Sequence, residues 1–190
     1  MNERSASTLF SLRRARLGLM GLLLAATFAG AGNAEGPVPP ITPFQFSIVP
    51  GVQIFSQDVP VWGLDFNLAY GSQQTVFGVS AGLVNEVSEN LSGIGVGLVN
   101  VSSKDATGLQ AAVGNGVSGR FRGLQVALFN VNDGTLEGIQ ISTGNVTKDG
   151  FGLQVGLYNQ ATSFKGLQIG LFNVNENGFL PFFPGINIGF

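Results

Sequence analysis

The side chains in this chain that could carry chemistry are its carboxylates and amides, because its 190 residues include neither histidine nor cysteine. The sequence therefore has no imidazole base near neutral pH, no thiol nucleophile and no soft ligand for a transition metal. Six carboxylates fall in segments that we interpret as turns, where acids ordinarily face solvent. They are Glu86, Glu89, Asp105, Asp133, Asp149 and Glu176. The pattern predicts a protein that is not an enzyme and that uses no cofactor or metal.

The amides recur at a fixed spacing. A phrase G-[LVI]-x-apolar-small-apolar-x-N occurs eight times, at steps of 14 or 15 residues, and a truncated ninth copy closes the chain. The copies begin at Gly63, Gly78, Gly93, Gly108, Gly123, Gly138, Gly152 and Gly166. With each glycine numbered as position 1, the best copies carry Gln at position 3 and Asn at position 8. These residues are Gly123, Gln125 and Asn130, then Gly152, Gln154 and Asn159, and finally Gly166, Gln168 and Asn173. Such a period indicates one small structural unit repeated along the chain.

Each copy alternates in a way that predicts a β-strand. Positions 2, 4 and 6 are apolar, as Leu167, Ile169 and Leu171 show, whereas the odd positions are small or polar. Side chains two residues apart share one face of a strand. The segments between copies are rich in Asn, Asp and Gly, which favour tight hairpin turns. We therefore expect one strand with one apolar face per copy, and no helix in the repeats.

Two architectures can use this unit. In a β-solenoid, each 15-residue copy forms one coil, and the Asn at position 8 stacks as an internal amide ladder. In an antiparallel meander, each copy forms one strand, and a near-palindromic pattern keeps the apolar band at one height when alternate copies are inverted. We favour the meander, because the segments between copies contain nothing apolar that would close a solenoid core from behind.

A meander with one apolar face must cover that face. Closing the sheet into a barrel removes its exposed edges, and an apolar exterior around a small or polar interior is typical of transmembrane barrels. The number of strands is then even, because it includes a first strand within residues 44–55, the eight copies and a closing strand from Leu180. The sequence thus predicts an all-β fold, an antiparallel meander closed as a small outer-membrane-type barrel of about ten strands. The alternative is the β-solenoid with 15-residue coils.

The N-terminal residues 1–34 have the layout of a bacterial secretory signal peptide. Four arginines precede an apolar run that starts at Leu17, and small residues place the cleavage after Ala31 or Ala34. A transmembrane helix is the alternative, although it needs about 20 apolar residues. Arg13 and Arg14 would also suit the twin-arginine route. Residues 35–43 form a proline-rich lead-in, and residues 44–190 form the repeat β domain.

Charge and the C-terminal residues give the expected location and partners. Beyond residue 34, five basic residues stand against ten acidic ones, which argues against binding to nucleic acid. The alternation of Ile186, Ile188 and Phe190 is similar to the C-terminal signature by which the bacterial assembly machinery recognises outer-membrane barrels. We therefore expect an exported protein of the outer membrane or cell surface of a Gram-negative bacterium. Its expected partners are outer-membrane lipid and the barrel-assembly machinery, and the sequence leaves any surface ligand unidentified.

The chain from GLQIGLFN to its ending NENGFLPFFPGINIGF resembles the surface-repeat proteins of unknown function found in spirochaetes and other Gram-negative bacteria. The resemblance covers about residues 63–190. The first copy departs from the pattern, since Asp65 and Tyr70 stand where Gln and Asn are expected. The resemblance implies an envelope location and brings no catalytic residues.

Two functions follow from these observations. The first is a non-enzymatic outer-membrane or cell-surface β-repeat protein with a structural or surface-interaction role, for which a narrow pore is one form. The alternative is a secreted or surface-attached β-solenoid that acts as an adhesin or binding protein.

Overall fold

The computed structural model describes residues 41–190. The predicted signal peptide and most of the predicted lead-in therefore lie outside the described residues. The strands are β1 (Thr42–Val49), β2 (Val52–Gln53), β3 (Val61–Ser102), β4 (Asp105–Ala111), β5 (Gly114–Val117), β6 (Phe121–Val126), β7 (Phe129–Ile141), β8 (Gly144–Val155), β9 (Tyr158–Asn175) and β10 (Phe182–Gly189). Over residues 41–190 we find no helix with the length and apolar character needed to cross a membrane.

Successive copies pair in parallel and in register. Gly123 of β6 pairs with Gly108 of β4 on one side and with Gly138 of β7 on the other, and Gly138 pairs in turn with Gly152 of β8. Each copy is therefore one coil rather than one strand of a meander, and strands longer than a copy, such as β3, run through the coil corners. The chain winds into a parallel β-solenoid of about nine turns. The predicted meander closed as a barrel is wrong, and the alternative of a solenoid with 15-residue coils is right.

The interior explains why the solenoid forms. The residue two places before each repeat glycine, except Gly152, has a buried apolar side chain, and these side chains build a column. This column includes Val61, Val76, Leu91, Ala106, Phe121, Leu136 and Phe164. A second buried column, at position 10, includes Val87, Val117 and Ala161. These residues close the core from the side on which the sequence analysis expected nothing apolar.

Both ends of the stack differ from its middle. The predicted first strand, within residues 44–55, is in fact most of β1, which pairs parallel to β3, followed by the short β2, which pairs antiparallel to β1. The predicted closing strand is β10, which runs antiparallel to β9. Pro184 lies within β10 and has no backbone N–H to offer to a further strand. The C-terminal edge is thus poorly suited to accept another strand.

The parallel register can be tested with paired cysteines in a chain that has none. Asn132 pairs with Thr147, so Asp133 and Lys148 follow directly after paired residues in adjacent coils, at the start of a short irregularity in the register. Adjacent strands are separated by about 4.8 Å, which is within the Cα range of a disulfide. We expect Asp133→Cys/Lys148→Cys to oxidise efficiently to an intramolecular disulfide, detected by mobility on non-reducing gels. The control Asp133→Cys/Thr162→Cys spans two coils, or about 9.6 Å, and should stay reduced. Equal oxidation of both pairs would contradict the register.

Candidate functional site: an exposed apolar face

Two amide ladders fill the interior between the apolar columns. Gln residues at position 3 bond to one another from coil to coil, with Nε2–Oε1 distances of 2.8–2.9 Å. This ladder contains Gln110, Gln125, Gln140, Gln154 and Gln168. Asn residues at position 8 bond in the same way, with Nδ2–Oδ1 distances of 2.7–3.0 Å. Because each amide satisfies the next, polar side chains can be buried here without water.

The Asn ladder is also bonded to the backbone at the corner of each coil. The Asn145 Nδ2 atom donates to the Val155 carbonyl oxygen at 2.9 Å, and Asn159 makes the same contact with Ile169 at 2.9 Å. The predicted repeat residues Asn130, Asn159 and Asn173 therefore act as structural residues inside the coil.

The buried Gln at position 3 forces its neighbours outward. Since side chains alternate along a strand, positions 2 and 4 face solvent, and position 6 follows them at the corner. Leu128 is 52% exposed, Leu157 56% and Leu171 61%. The sequence analysis identified this apolar stripe correctly but assigned it to the lipid-facing side of a barrel. We call the outward side chains at positions 2, 4 and 6, from the copy at Gly63 to β10, the apolar face.

A groove runs along the apolar face over the C-terminal half of the stack. Its floor is formed by the small residues at position 5, such as Ala127, Gly156 and Gly170. Its walls are formed by side chains at positions 4 and 6, among them Ile141 and Leu157. It is an open depression of about 760 Å³. This groove was not predicted from the sequence, although the alternation of small residues with branched aliphatic ones was a signal for it.

The β10 strand extends the apolar face at the C-terminal end. Ile186 pairs with Ile169 and Ile188 pairs with Leu167, so both isoleucines continue the columns at positions 4 and 2. Their exposed fractions are 55% and 48%, and Phe190, beyond the end of β10, is 90% exposed. The residues that were predicted to be an assembly signal thus join the apolar face. Their recognition by the assembly machinery stays a prediction, and the barrel on which it depended is absent.

Charged side chains lie at the coil corners and directly before some repeat glycines, where Arg122, Glu137 and Lys165 border the apolar face. Arg122 donates from Nε to Glu137 Oε2 at 2.7 Å, and Lys104 pairs with Glu89 at 2.8 Å. Both pairs join adjacent coils across the surface. Exposed pairs of this kind contribute about 0–1 kcal/mol each. They mark the solvated sides of the stack and leave the apolar face without charge.

The first copy, which begins at Gly63, differs from the other copies at the positions of the ladder residues. Asn67, not Tyr70, supplies the first amide of the Asn ladder, donating to Asn85 Oδ1 at 2.9 Å. Tyr70 instead bonds to Glu86, and burial raises the pKa of its hydroxyl well above the usual range. Asp65 takes the place of the ladder Gln and is buried, accepting hydrogen bonds from Ser80 at 2.6 Å and from Asn67 at 2.8 Å. Burial raises the pKa of this carboxyl above 3.8, although the two hydrogen bonds oppose the shift.

The raised pKa of Asp65 makes stability depend on pH. Between pH 3.8 and the folded-state pKa, the native protein holds more protons than the unfolded chain, so stability falls as pH rises through that window. We expect Asp65→Asn to raise Tm at pH 7, because the buried charge is removed, and to have no such benefit below about pH 3.8, where the carboxyl is neutral in both states. Thermal unfolding by circular dichroism at both pH values measures this. The exposed Asp133→Asn is the control, and a lower Tm for Asp65→Asn at pH 7 would contradict the expectation.

The described residues contain no group of three or more Asp, Glu, His or Cys side chains that could hold a metal ion. The carboxylates predicted to lie in turns are distributed along the stack, and the structure does not bring them together into one site. The expectation that the protein is not an enzyme stays a prediction.

The fold and the apolar face together define a parallel β-solenoid with a polar, amide-laddered interior and an apolar outer face. No family model, curated protein or solved structure matches the chain. The resemblance to bacterial surface-repeat proteins is accordingly still a prediction.

Proposed function

We propose that this chain is an exported, surface-attached β-solenoid that acts by binding, without enzymatic activity, and that the apolar face is its contact surface. The exposed apolar face carries the proposal. Its aliphatic columns extend over eight copies and β10, at about 4.8 Å per strand, so it is roughly 38 Å long and 15 Å wide. The resulting area of roughly 570 Å² is at the upper end of the largest patches on typical monomers, and such patches often mark interaction sites.

The scaffold behind the apolar face suits a binding role. The two amide ladders and the apolar columns fix every coil to its neighbours, so the face is presented on a rigid support. Repeat folds commonly use such extended surfaces for binding, because each coil adds the same contact at a fixed spacing. Export is part of the proposal and is supported by the arginine-flanked apolar run that starts at Leu17.

Fractionation of a Gram-negative host that expresses the full chain tests this function. We expect the wild-type protein to stay with the envelope, and Ile141→Lys/Ile169→Lys to be released into soluble fractions. Both isoleucines are exposed, at 41% and 37%, so the variant should fold, which circular dichroism would verify. The matched control is Phe179→Lys, which changes an 83% exposed aromatic residue outside the apolar face and should remain with the envelope. Envelope retention of the folded double variant at the wild-type level would refute the proposed contact surface.

A further inference from the structure

We infer that the apolar face binds a second copy of this chain, giving a twofold-symmetric dimer with two solenoids side by side and parallel. This inference rests on the proposed function and names the partner of its contact surface, so that release of Ile141→Lys/Ile169→Lys from the envelope would follow from loss of the dimer. It begins from the shape of the face, whose side chains recur at a regular spacing from coil to coil and reach the coil corner at position 6.

The area of the apolar face is sufficient for a stable dimer. Two faces of roughly 570 Å² bury roughly 1,140 Å² in total, which exceeds the approximately 1,000 Å² expected of a specific interface. The contacting side chains are mostly Leu, Ile and Val, with no charged member, as in the hydrophobic interfaces of obligate homodimers. The exceptions are Phe66, Ala81, Ala111 and Thr143. Two sheets that meet through such side chains pack about 10 Å apart, and they form a core like that of a β-sandwich.

The groove selects the symmetry of the pair. The position-4 ridge, which contains Ile141 and Ile169, runs beside the position-5 groove, which contains Gly156 and Gly170. A twofold axis parallel to the solenoid axis, placed between ridge and groove, lays the ridge of each copy into the groove of the other. A twofold axis across the solenoid would instead place ridge on ridge. Interdigitation therefore favours the parallel arrangement, with equivalent coils of the two copies at the same height.

The charge of the chain favours a second copy over a lipid surface. Residues 41–190 carry five basic and nine acidic side chains, so an anionic membrane surface would repel the domain. Peripheral membrane surfaces usually surround their apolar residues with Lys and Arg, whereas the ion pairs here place acidic partners, Glu89 and Glu137, beside the basic residues. The poor strand-accepting edge at β10 also disfavours growth end to end, which leaves lateral association through the apolar face.

Sedimentation and light scattering of the full exported chain test the dimer. We expect the wild-type protein and Phe179→Lys to have twice the monomer mass at micromolar concentration, and folded Ile141→Lys/Ile169→Lys to have the monomer mass. A monomeric wild-type protein would overturn the inference, and so would a dimer that persists unchanged in the double variant.

Single cysteines distinguish the two arrangements, since the chain contains no other thiol. In the parallel dimer, Ile169→Cys lies opposite its own counterpart and should couple to it through a short bismaleimide. In an antiparallel dimer centred on the face, the two positions would be about 29 Å apart, beyond the reach of the reagent. Lys148→Cys, at a coil corner away from the face, is the control and should remain uncoupled. Failure of Ile169→Cys to couple in a dimeric sample would overturn the parallel arrangement.

The two proposals can fail separately. If the wild-type protein is monomeric but the double variant leaves the envelope, the dimer is wrong and the contact surface stands. If the wild-type protein is dimeric and its monomeric double variant stays with the envelope, the dimer stands and the proposed surface attachment through this face is wrong.

Discussion

Gly152→Ala is expected to destabilise the solenoid more than any other single methyl addition considered. Gly152 has a φ of +132°, a region that L side chains rarely adopt. A Cβ at this position would lie 2.0 Å from the carbonyl oxygen of Gly138 in the preceding coil, and that oxygen belongs to the backbone, so it cannot rotate away. The substitution therefore combines backbone strain with overpacking against a fixed atom.

The size of this effect can be estimated from the two contributions. Backbone strain of this type costs about 1–3 kcal/mol, and overpacking typically costs about 1–3 kcal/mol more. We therefore expect a loss of about 3–5 kcal/mol in the free energy of unfolding, a large part of the roughly 5–15 kcal/mol available to a domain. At about 2–4 °C per kcal/mol, Tm should fall by about 6–20 °C.

Gly114→Ala is the matched control for Gly152→Ala. A Cβ at Gly114 would have no heavy atom within 4 Å. This substitution should leave Tm unchanged or raise it slightly, because alanine lowers the entropy of the unfolded chain. Thermal and urea unfolding of both variants measure the difference. Similar stabilities would contradict the stacked-glycine geometry of the repeats.

Much of this fold was predictable from the period and alternation of the sequence. The repeat boundaries, the absence of helix in the repeats and the strand character of each copy follow from the recurring glycine and the apolar even positions. Whether adjacent strands pair in parallel or antiparallel could not be predicted in this way, because a strand with one apolar face is compatible with both a solenoid coil and a meander. The two alternatives differ in what each copy pairs with, and local alternation does not contain that information.

The error came from the segments between copies, where buried apolar residues such as Phe121 and Leu136 were not recognised as the side of the core that closes a coil. An internal ladder of Asn at position 8, such as Asn130, was expected for the solenoid alternative, whereas Gln125 at position 3 was not assigned to its core. In the structure these amides are buried because each donates to, or accepts from, the same residue one coil away. Burial of a polar group costs little when its hydrogen bonds are made.

The candidate site was predictable only in part. The apolar stripe was visible in the sequence, as were the isoleucines at positions 186 and 188. Its outward direction was already part of the barrel prediction, but the stacking of equivalent positions into columns, and with it the groove, depended on the parallel register. The nearly constant step of 14 or 15 residues and the Asn at position 8 in seven of the eight copies were the signals for that register, because a ladder of identical amides requires coils of nearly equal length.

Asn145→Leu is expected to have the second largest effect, because it interrupts the Asn ladder in the middle of the stack. Asn145 is fully buried. Its Oδ1 accepts from Asn130 Nδ2 at 3.0 Å, and its Nδ2 donates to Asn159 Oδ1 at 2.8 Å and to the Val155 carbonyl oxygen at 2.9 Å. Leucine has a similar size but makes none of these bonds.

The substitution leaves buried polar partners on both neighbouring coils without their bonds to residue 145. Each unsatisfied buried group costs about 1–3 kcal/mol, and the added apolar contact of leucine offsets part of this, so we expect a net loss of about 3–5 kcal/mol. The control Asn90→Leu changes an exposed Asn in β3 and should alter the free energy of unfolding by no more than about 0.5 kcal/mol. Urea unfolding of both variants is the measurement. A small loss for Asn145→Leu, comparable to the control, would mean that apolar packing alone stabilises the stack and that the amide ladder is dispensable for its stability.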